Sequence, residues 1–404
     1  MTTFYYWFGS IIVVAQVLSA AFILKNVLYS LNKYRRDRSW YNPKTVLIVP
    51  CKGIDINFEK NITSFYEQDF SNYLLWFVVE SQDDPAYEKL QSLKEKLASK
   101  SKTLESKIWV AGITKSCSQK IHNMLYCCQR VAEDVEVLAF ADSDICVSRE
   151  WLSHLVYPLR KEKVGVSSGY RWFVPKRNNM ATLAMTAGNA KVAQLLGNSI
   201  FNQAWGGSMA VRLEIFRRLD MFKVWKTALS DDLSLGEAAK KARLQVAFVP
   251  ACMVPSFEDT TWTRGFEFVR RQFLITKVFS PGTWWFAIFA MTSSVVTTWG
   301  TIAVAIYAVA AGSAHLWFYI MVPSAAVASQ FARACLRQYI ASKLLRDKIG
   351  HMKLAIASDI LLFWLWSIIL WLLIASTSIG RTIRWRGVRY KMLGPDKTIV
   401  QREK

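Results

Sequence analysis

Metal-binding and redox side chains are scarce in this sequence, with four histidines and seven cysteines dispersed over 404 residues. The cysteines (Cys51, Cys117, Cys127, Cys128, Cys146, Cys252 and Cys335) are odd in number and form no CxxC pair, which argues against a disulfide framework and a structural zinc site. GxGxxG and GxxxxGK[ST] are both absent, so the usual dinucleotide and P-loop fingerprints are missing. No internal repeat or low-complexity tract stands out. Acidic residues are also in deficit: 30 Asp+Glu against 51 Lys+Arg leave a formal charge of +21, which implies an anionic partner. With 52% hydrophobic and 20% charged residues, the chain is neither disordered nor collagen-like.

Charge is missing altogether from particular stretches. None occurs from Met1 to Leu24, and Phe4 to Leu24 would span about 31 Å as a helix, one bilayer crossing. A cleaved signal peptide is the alternative, but a basic leading region is lacking and the apolar run is long. Lys25, Lys33, Arg35, Arg36 and Arg38 follow, so the positive-inside bias puts the next segment in the cytoplasm. Val278 to Ala332 is again uncharged and long enough for two spans joined near Gly312-Ser313-Ala314-His315. A third stretch, Leu354 to Ser378, holds only Asp359. Basic residues lie on both sides of it, from Arg333 to Lys353 and from Arg381 to Lys391, and three crossings from inside would end outside. The last stretch is therefore expected to be re-entrant or interfacial, with Asp359 facing protein or water. Much of the positive charge sits beside these segments, so it reads as lipid contact and topology, with no nucleic acid.

Between Thr45 and Lys277 short apolar runs alternate with amphipathic stretches. Candidate strands are 46–49, 73–79, 107–111, 135–141, 164–166 and 244–249, with helices over 87–97, 119–132 and 150–160 between them. That rhythm predicts an α/β fold with a mostly parallel sheet, whose ligands bind at the carboxyl ends of the strands. The domains are then 1–40 (anchor and basic flank), 41–277 (catalytic), 278–380 (membrane region) and 381–404 (basic cytoplasmic tail). Asn61-Ile62-Thr63 fits a glycosylation sequon that a cytoplasmic domain would leave unused.

The run Val135 to Ala141 leads directly into Asp142-Ser143-Asp144. Two carboxylates one residue apart at a strand end can share a Mg²⁺ or Mn²⁺ with ligand phosphates, although an Asp-Ser-Asp turn can also merely end a strand. Lys52-Gly53-Ile54-Asp55 and Gln82-Asp83-Asp84 end two other strands on the same edge, and Gly206-Gly207-Ser208 precedes Asp231-Asp232 at the start of a helix. Capping explains one carboxylate of that last pair, less well the second.

On these stretches, together with Lys120-Ile121-His122-Asn123-Met124, Val164 to Gly169 and Ile383 to Tyr390, the chain resembles nucleotide-sugar glycosyltransferases of the GT-A fold, most of all the ceramide glucosyltransferase family. The resemblance implies a hexose transferred from a UDP-sugar, with glucose the first choice, to a lipid hydroxyl by an inverting displacement. It implies Mg²⁺ or Mn²⁺ on Asp142 and Asp144, Asp232 as catalytic base with Asp231 as fallback, and Asp84 at the uridine. Lys52, Asp55, Lys120, Asn123 and Asp142 are the neighbouring nucleotide-sugar candidates. Gly207, Arg270 and Arg271 belong to the acceptor and phosphate region. The chain departs from the family's (Q/R)xxRW at one place, where Leu274 and Ile275 replace the Arg-Trp pair linked to acceptor and product binding. A processive polysaccharide synthase and a catalytically silent scaffold are the rival readings. The expected location is a multi-pass protein of a bacterial inner membrane, ahead of a Golgi or ER membrane, with its catalytic domain in the cytoplasm.

Overall fold

A computed structural model describes residues 2–34, 40–385 and 387–402; Arg35, Arg36, Arg38 and Arg386 of the basic flanks lie outside the described residues. In chain order the elements are α1 (Thr2–Tyr34), β1 (Thr45–Pro50), α2 (Phe58–Tyr66), β2 (Tyr73–Val79), α3 (Pro85–Leu97), β3 (Glu105–Val110), α4 (Gln119–Cys128), β4 (Val137–Ala141) and α5 (Trp151–Val156). Then come β5 (Val164–Pro175), α6 (Met180–Ala193), β6 (Ser208–Arg212), α7 (Leu213–Arg218), α8 (Met221–Trp225), α9 (Asp231–Lys241) and β7 (Gln245–Glu258). Five helices follow, α10 (Trp262–Phe279), α11 (Pro281–Ala310), α12 (Leu316–Leu344), α13 (Ile349–Leu361) and α14 (Phe363–Ser376), and the chain ends in β8 (Thr382–Trp385), β9 (Val388–Gly394) and β10 (Lys397–Arg402).

The first seven strands form one sheet in the order β3-β2-β1-β4-β6-β5-β7. Only β6 runs antiparallel, pairing β4 on one side and β5 on the other. This is the expected α/β class with a mostly parallel sheet. Its central strands are continuous apolar runs because helices cover both faces. Val46, Ile48, Trp76, Val78 and Phe140 feed one core, while Leu47, Val49, Leu75, Phe77 and Val79 feed the other. Burying so many aliphatic and aromatic side chains, each worth about 1.5–3 kcal/mol, fixes the register and with it the polar segments at the strand ends.

Two strands reach further than their apolar cores suggest. β5 and β7 pair from Tyr170↔Met253 to Pro175↔Glu258 beyond a register shift next to Gly169. A Cβ at Gly169 would lie 2.1 Å from the Cys252 carbonyl oxygen, so only glycine lets the two backbones approach. The extended ribbon packs Trp172 and Val174 against Ala190 and Ala193 of α6, Ala341 of α12 and Met352 of α13, and so joins the sheet to the apolar helices.

Among the described residues two helices are long and apolar enough to cross a membrane, α1 over Phe4–Tyr34 and α11. A third span results if the segment Arg346–Leu361 and α14, which meet at 86°, count as one; that bend has the form of a broken span or a re-entrant loop. α11 and α12 meet at Gly312, whose φ of 61 ends the first helix at the expected place. Asp359 faces protein: it is 1% exposed and ion-paired to Arg337 at 2.6 Å. The basic tail is a folded three-stranded antiparallel sheet. Ile383, Val388, Tyr390 and Met392 bury against the same core as Leu274 and Phe279 of α10, leaving Arg384, Arg389 and Lys391 outward.

Candidate active site

The end of β4, the start of β6, the middle of β5 and the first turns of α4 and α9 converge. Asp142 follows β4 directly, held by its backbone N–H donating to the Gly207 carbonyl oxygen at 3.3 Å. Lys120, in the first turn of α4, places Nζ 2.8 Å from Asp142 Oδ1 and 3.1 Å from Asp231 Oδ2. On the other side Arg171 of β5 places Nη2 2.8 Å from Asp144 Oδ1 and 3.5 Å from Asp142 Oδ2. Its guanidinium lies over the Trp205 ring, 5.2 Å from the centroid. The structure thus brings Lys120, Asp142, Asp144 and Asp231 into one charged network, with Asp232 beside it.

Asp232 is oriented by three donors. Its Oδ2 accepts from the Gly206 N–H at 3.0 Å, and its Oδ1 accepts from Leu233 N at 2.7 Å and from the Ser230 hydroxyl at 2.5 Å. Ser230 caps α9, so the cap explains why this helix starts here and not why two carboxylates follow it. The glycines before β6 are required by close approach. A Cβ on Gly206 would lie 2.1 Å from Asp231 Oδ2 and 2.7 Å from Lys120 Nζ; one on Gly207 would meet the Trp205 ring at 2.2 Å and Asp142 Oδ2 at 2.7 Å.

The electrostatics follow from burial. Burial would lower the Lys120 ammonium, but Asp142, Asp231 and Asp232 outweigh it and hold the pKa above its ordinary value. Arg171 is raised in the same way: burial opposes its charge, while Asp144 and Asp142 stabilise it. Burial pushes the Asp231 carboxyl up to about 6, Lys120 opposing and Asp232 and Asp142 adding.

The other sequence candidates divide. Lys52, Asn123, Gly207 and Arg271 line the cavity with the carboxylates. Lys52 pairs with Glu80 at 2.9 Å, and Asn123 accepts from Gln119 at 2.8 Å. Asp84 acts locally, its Oδ1 accepting from Ala86 N at the start of α3 and from Gly53 N, which fixes a turn in which Gly53 has φ +66. Asp55 sits in that same connection between β1 and α2. Arg270 donates to Ser376 Oγ at 3.0 Å and to the Ile379 carbonyl at 2.8 Å, closing the end of α14. Leu274, in place of the Arg of the family's pair, is 3% exposed in the core, and Ile275 reaches the cavity wall.

Sequence reasoning missed Arg171 and Asn61. An arginine inside the apolar strand Val164–Pro175 was the available signal for the first. Asn61 is 4% exposed and its Nδ2 donates to the Ser143 carbonyl at 3.1 Å, so the apparent sequon is a brace for the Asp142–Asp144 turn.

Among the described residues no group of three or more His, Cys, Asp or Glu side chains is gathered as a metal site. The Asp142 and Asp144 oxygens nevertheless already converge on positive charge, and hard carboxylate donors suit Mg²⁺ or Mn²⁺ when phosphate and water supply the other ligands. The donor set fits such an ion.

The cavity has a volume of about 1880 Å³ and does not end at the carboxylates. It continues between the apolar helices, where Ile12 of α1, Gly188 of α6, Phe289 of α11 and Leu372 of α14 line it, and Trp385 and Tyr390 of the terminal sheet close one side. The class that this site suits, a nucleotide-sugar glycosyltransferase, is the one that a family match supports. The chain matches the model of glycosyl transferase family 21 over residues 10–398 and belongs to that family. Solved structures similar to it include a mannosyltransferase from Pyrobaculum calidifontis in complex with GDP-Man and Mn²⁺ (13% identity, TM-score 0.41, covering 90% of this chain and 99% of that one). GalNAc-T7 with UDP, GalNAc and Mn²⁺ matches at 12% identity and TM-score 0.41 over 62% of this chain and 51% of that one. Glucosyl-3-phosphoglycerate synthase from Mycobacterium tuberculosis in complex with phosphoglyceric acid matches at 13% and 0.34 over 58% and 79%.

Proposed function

We propose that the chain is an inverting, divalent-metal-dependent transferase that moves a hexose, glucose from UDP-glucose, onto the hydroxyl of a membrane lipid such as ceramide. The observation that carries this reading is the single cavity, polar at Asp142, Asp144, Asp231 and Asp232 and apolar between α1, α6, α11 and α14. A water-soluble donor and a lipid acceptor can meet there without either leaving its own solvent.

Asp142 and Asp144 would hold Mg²⁺ or Mn²⁺, which offsets charge on the leaving diphosphate. Lys120 and Arg171 are preorganised donors beside the same phosphates, costing no reorganisation during transfer. Lys52 and Asn123 face the nucleotide, and Asp84 and Asp55 shape its loop. Asp232 takes the proton of the acceptor hydroxyl; the oxygen bonds the anomeric carbon from the opposite face as the bond to phosphate breaks and the diphosphate leaves with its electron pair. Asp231, raised to about 6, is the fallback base and holds Lys120. Arg271 and Gly207 lie along the acceptor and phosphate path, whereas Arg270 acts through the end of α14. Residues 41–277 form the catalytic unit, 278–380 the membrane region and 381–404 the tail. The catalytic unit faces the cytoplasm of a bacterial inner membrane.

The test is incubation of protein-containing membranes with a panel of radiolabelled UDP-sugars and lipid extract, with Mg²⁺ or EDTA. Metal-dependent label in one discrete lipid is the expected result. Label in an insoluble polymer supports a processive synthase, and no turnover with intact nucleotide binding supports a scaffold.

A further inference from the structure

Part of the cavity wall is also outer surface. Phe8, Ile11, Ala15 and Leu18 of α1 line the cavity at the three- and four-residue spacing of one helix face. Phe286, Phe289, Ser293 and Val296 of α11 line it at the same spacing. Ile11 and Leu18 are each 64% exposed and Phe289 is 72% exposed. An apolar side chain that lines a cavity and is open to the surroundings borders the cavity's mouth, so the two stripes flank an opening between α1 and α11. No Lys, Arg, Asp or Glu occurs from Met1 to Leu24 or from Pro281 to Ala310, so the opening gives onto hydrocarbon.

Contacts close both ends of it at matching levels. In the first turns of α1 and the last turns of α11, Tyr5 and Ile12 bury with Ala308, against Phe318 and Val322 of α12. At the other end stands Phe201, in the connection between α6 and β6. Its ring stacks on Phe286, six residues into α11, with centroids 4.3 Å apart, and meets Phe22, near the end of the uncharged run of α1, edge-on at 5.9 Å. From Phe8 to Leu18 the opening is about 15 Å tall at 1.5 Å per residue, close to the hydrocarbon depth of one leaflet.

The neighbouring seams are tied. Trp371 Nε1 of α14 donates to Thr292 Oγ1 of α11 at 2.9 Å, and Gln16 of α1 accepts from Ser329 and Arg333 of α12 at 2.9 and 3.3 Å. Phe201 is itself held. Asn202 Nδ2 donates to the carbonyls of Gly197 at 2.8 Å and Val246 at 2.9 Å, and Gln203 Nε2 donates to Thr283 Oγ1 of α11 at 2.7 Å. The same connection continues into Gly206, whose N–H orients Asp232.

We infer that the acceptor lipid enters sideways from the bilayer through the opening between α1 and α11. Its chains lie along Ile11, Leu18 and Phe289, and its head passes Phe201 to reach Asp232. Phe201 is a positioning residue, bridging the two helices where the apolar wall gives way to the polar end. The inference rests on the lipid acceptor of the proposed function and adds its route.

The test uses the full chain in phosphatidylcholine vesicles with a ceramide carrying a diazirine in its acyl chain, irradiated and mapped by peptide mass spectrometry. Adducts are expected on the peptides carrying Leu18 and Phe289, and excess unlabelled ceramide should remove them. Ala15→Trp puts an indole into the opening and should lose this labelling. Val14→Trp, one position away at an exposed residue off the cavity wall, should keep it. UDP binding checks that both variants fold, and the wild-type map alone decides if either does not. Equal labelling of the two Trp variants overturns the inference. So does displaceable label confined to Phe266 and Leu372, which are also exposed at the wall, or the absence of any displaceable label. Sugar transfer to ceramide is read separately. Displaceable label at the opening without transfer counts against the proposed function alone, and transfer with equally labelled variants counts against the inference alone.

Discussion

The two ends of the cavity are built with opposite charge. At the sheet end the carboxylates of Asp142, Asp144, Asp231 and Asp232 face Lys120 and Arg171; at the membrane end Lys191, Arg333 and Arg337 line the wall and Asp359 pairs with Arg337. Each end carries an excess of one sign, negative at the sheet and positive between the helices. The ends also differ in how they are held. Backbone N–H groups and glycines fix the sheet end, whereas side chains crossing between helices fix the membrane end. Strand ends on a packed sheet give positional accuracy, and helices in an apolar surrounding must satisfy polar groups through one another.

The largest expected effect is at the sheet end. Asp232→Asn should cut transfer about 10²- to 10⁴-fold while UDP binding persists, and full transfer by this variant would remove it as base. Asp142→Asn or Asp144→Asn should weaken metal-dependent nucleotide binding as well as turnover, measured by titration with and without EDTA. At the membrane end the corresponding blow falls on stability: Asp359→Asn leaves Arg337 without its buried partner and should cost about 3–5 kcal/mol in denaturant unfolding. An unchanged midpoint would show that this pair is solvated.

Smaller changes sharpen the contrast. Asn61→Ala strips the Ser143 carbonyl of a buried donor and should cost about 1–3 kcal/mol in denaturant unfolding, with metal–nucleotide binding weakened as the Asp142–Asp144 turn loosens. The smallest effect concerns pH. The folded Asp231 carboxyl lies above its ordinary range, so its protonation adds stability at low pH that is lost as pH rises through about 6. Asp231→Asn should therefore melt higher than wild type at pH 8, with the gap closing between about pH 6 and pH 4. A gap that widens toward acid would mean the Lys120 ion pair dominates.

The sheet end was more legible in the sequence than the membrane end. β1, β2 and β4 announce themselves as unbroken apolar runs, and the polar segments that follow must fall on one edge once the strands are parallel. β6 was hidden because it is short and antiparallel, and its first residue follows two glycines read as a motif. The terminal sheet was hidden for another reason: Ile383, Val388, Tyr390 and Met392 alternate with basic residues, and the charge drew attention from the period of two. Arg171 and Asn61 act across 27 or more positions of chain, on Asp144 and Ser143, which no local spacing encodes. Asp359 was recognisable as a lone charge in an apolar run, but its partner Arg337 needed the fold.

The most direct test of a shared donor–lipid cavity is to plug it midway. Gly188 lines it on α6, and a Cβ there meets only Leu370, at 3.7 Å, so Gly188→Trp puts an indole into the passage without touching the carboxylates. With wild type and variant side by side in the radiolabelled UDP-sugar assay, a shared cavity predicts that the variant binds UDP as wild type does and labels no lipid. Undiminished lipid labelling by Gly188→Trp would contradict it.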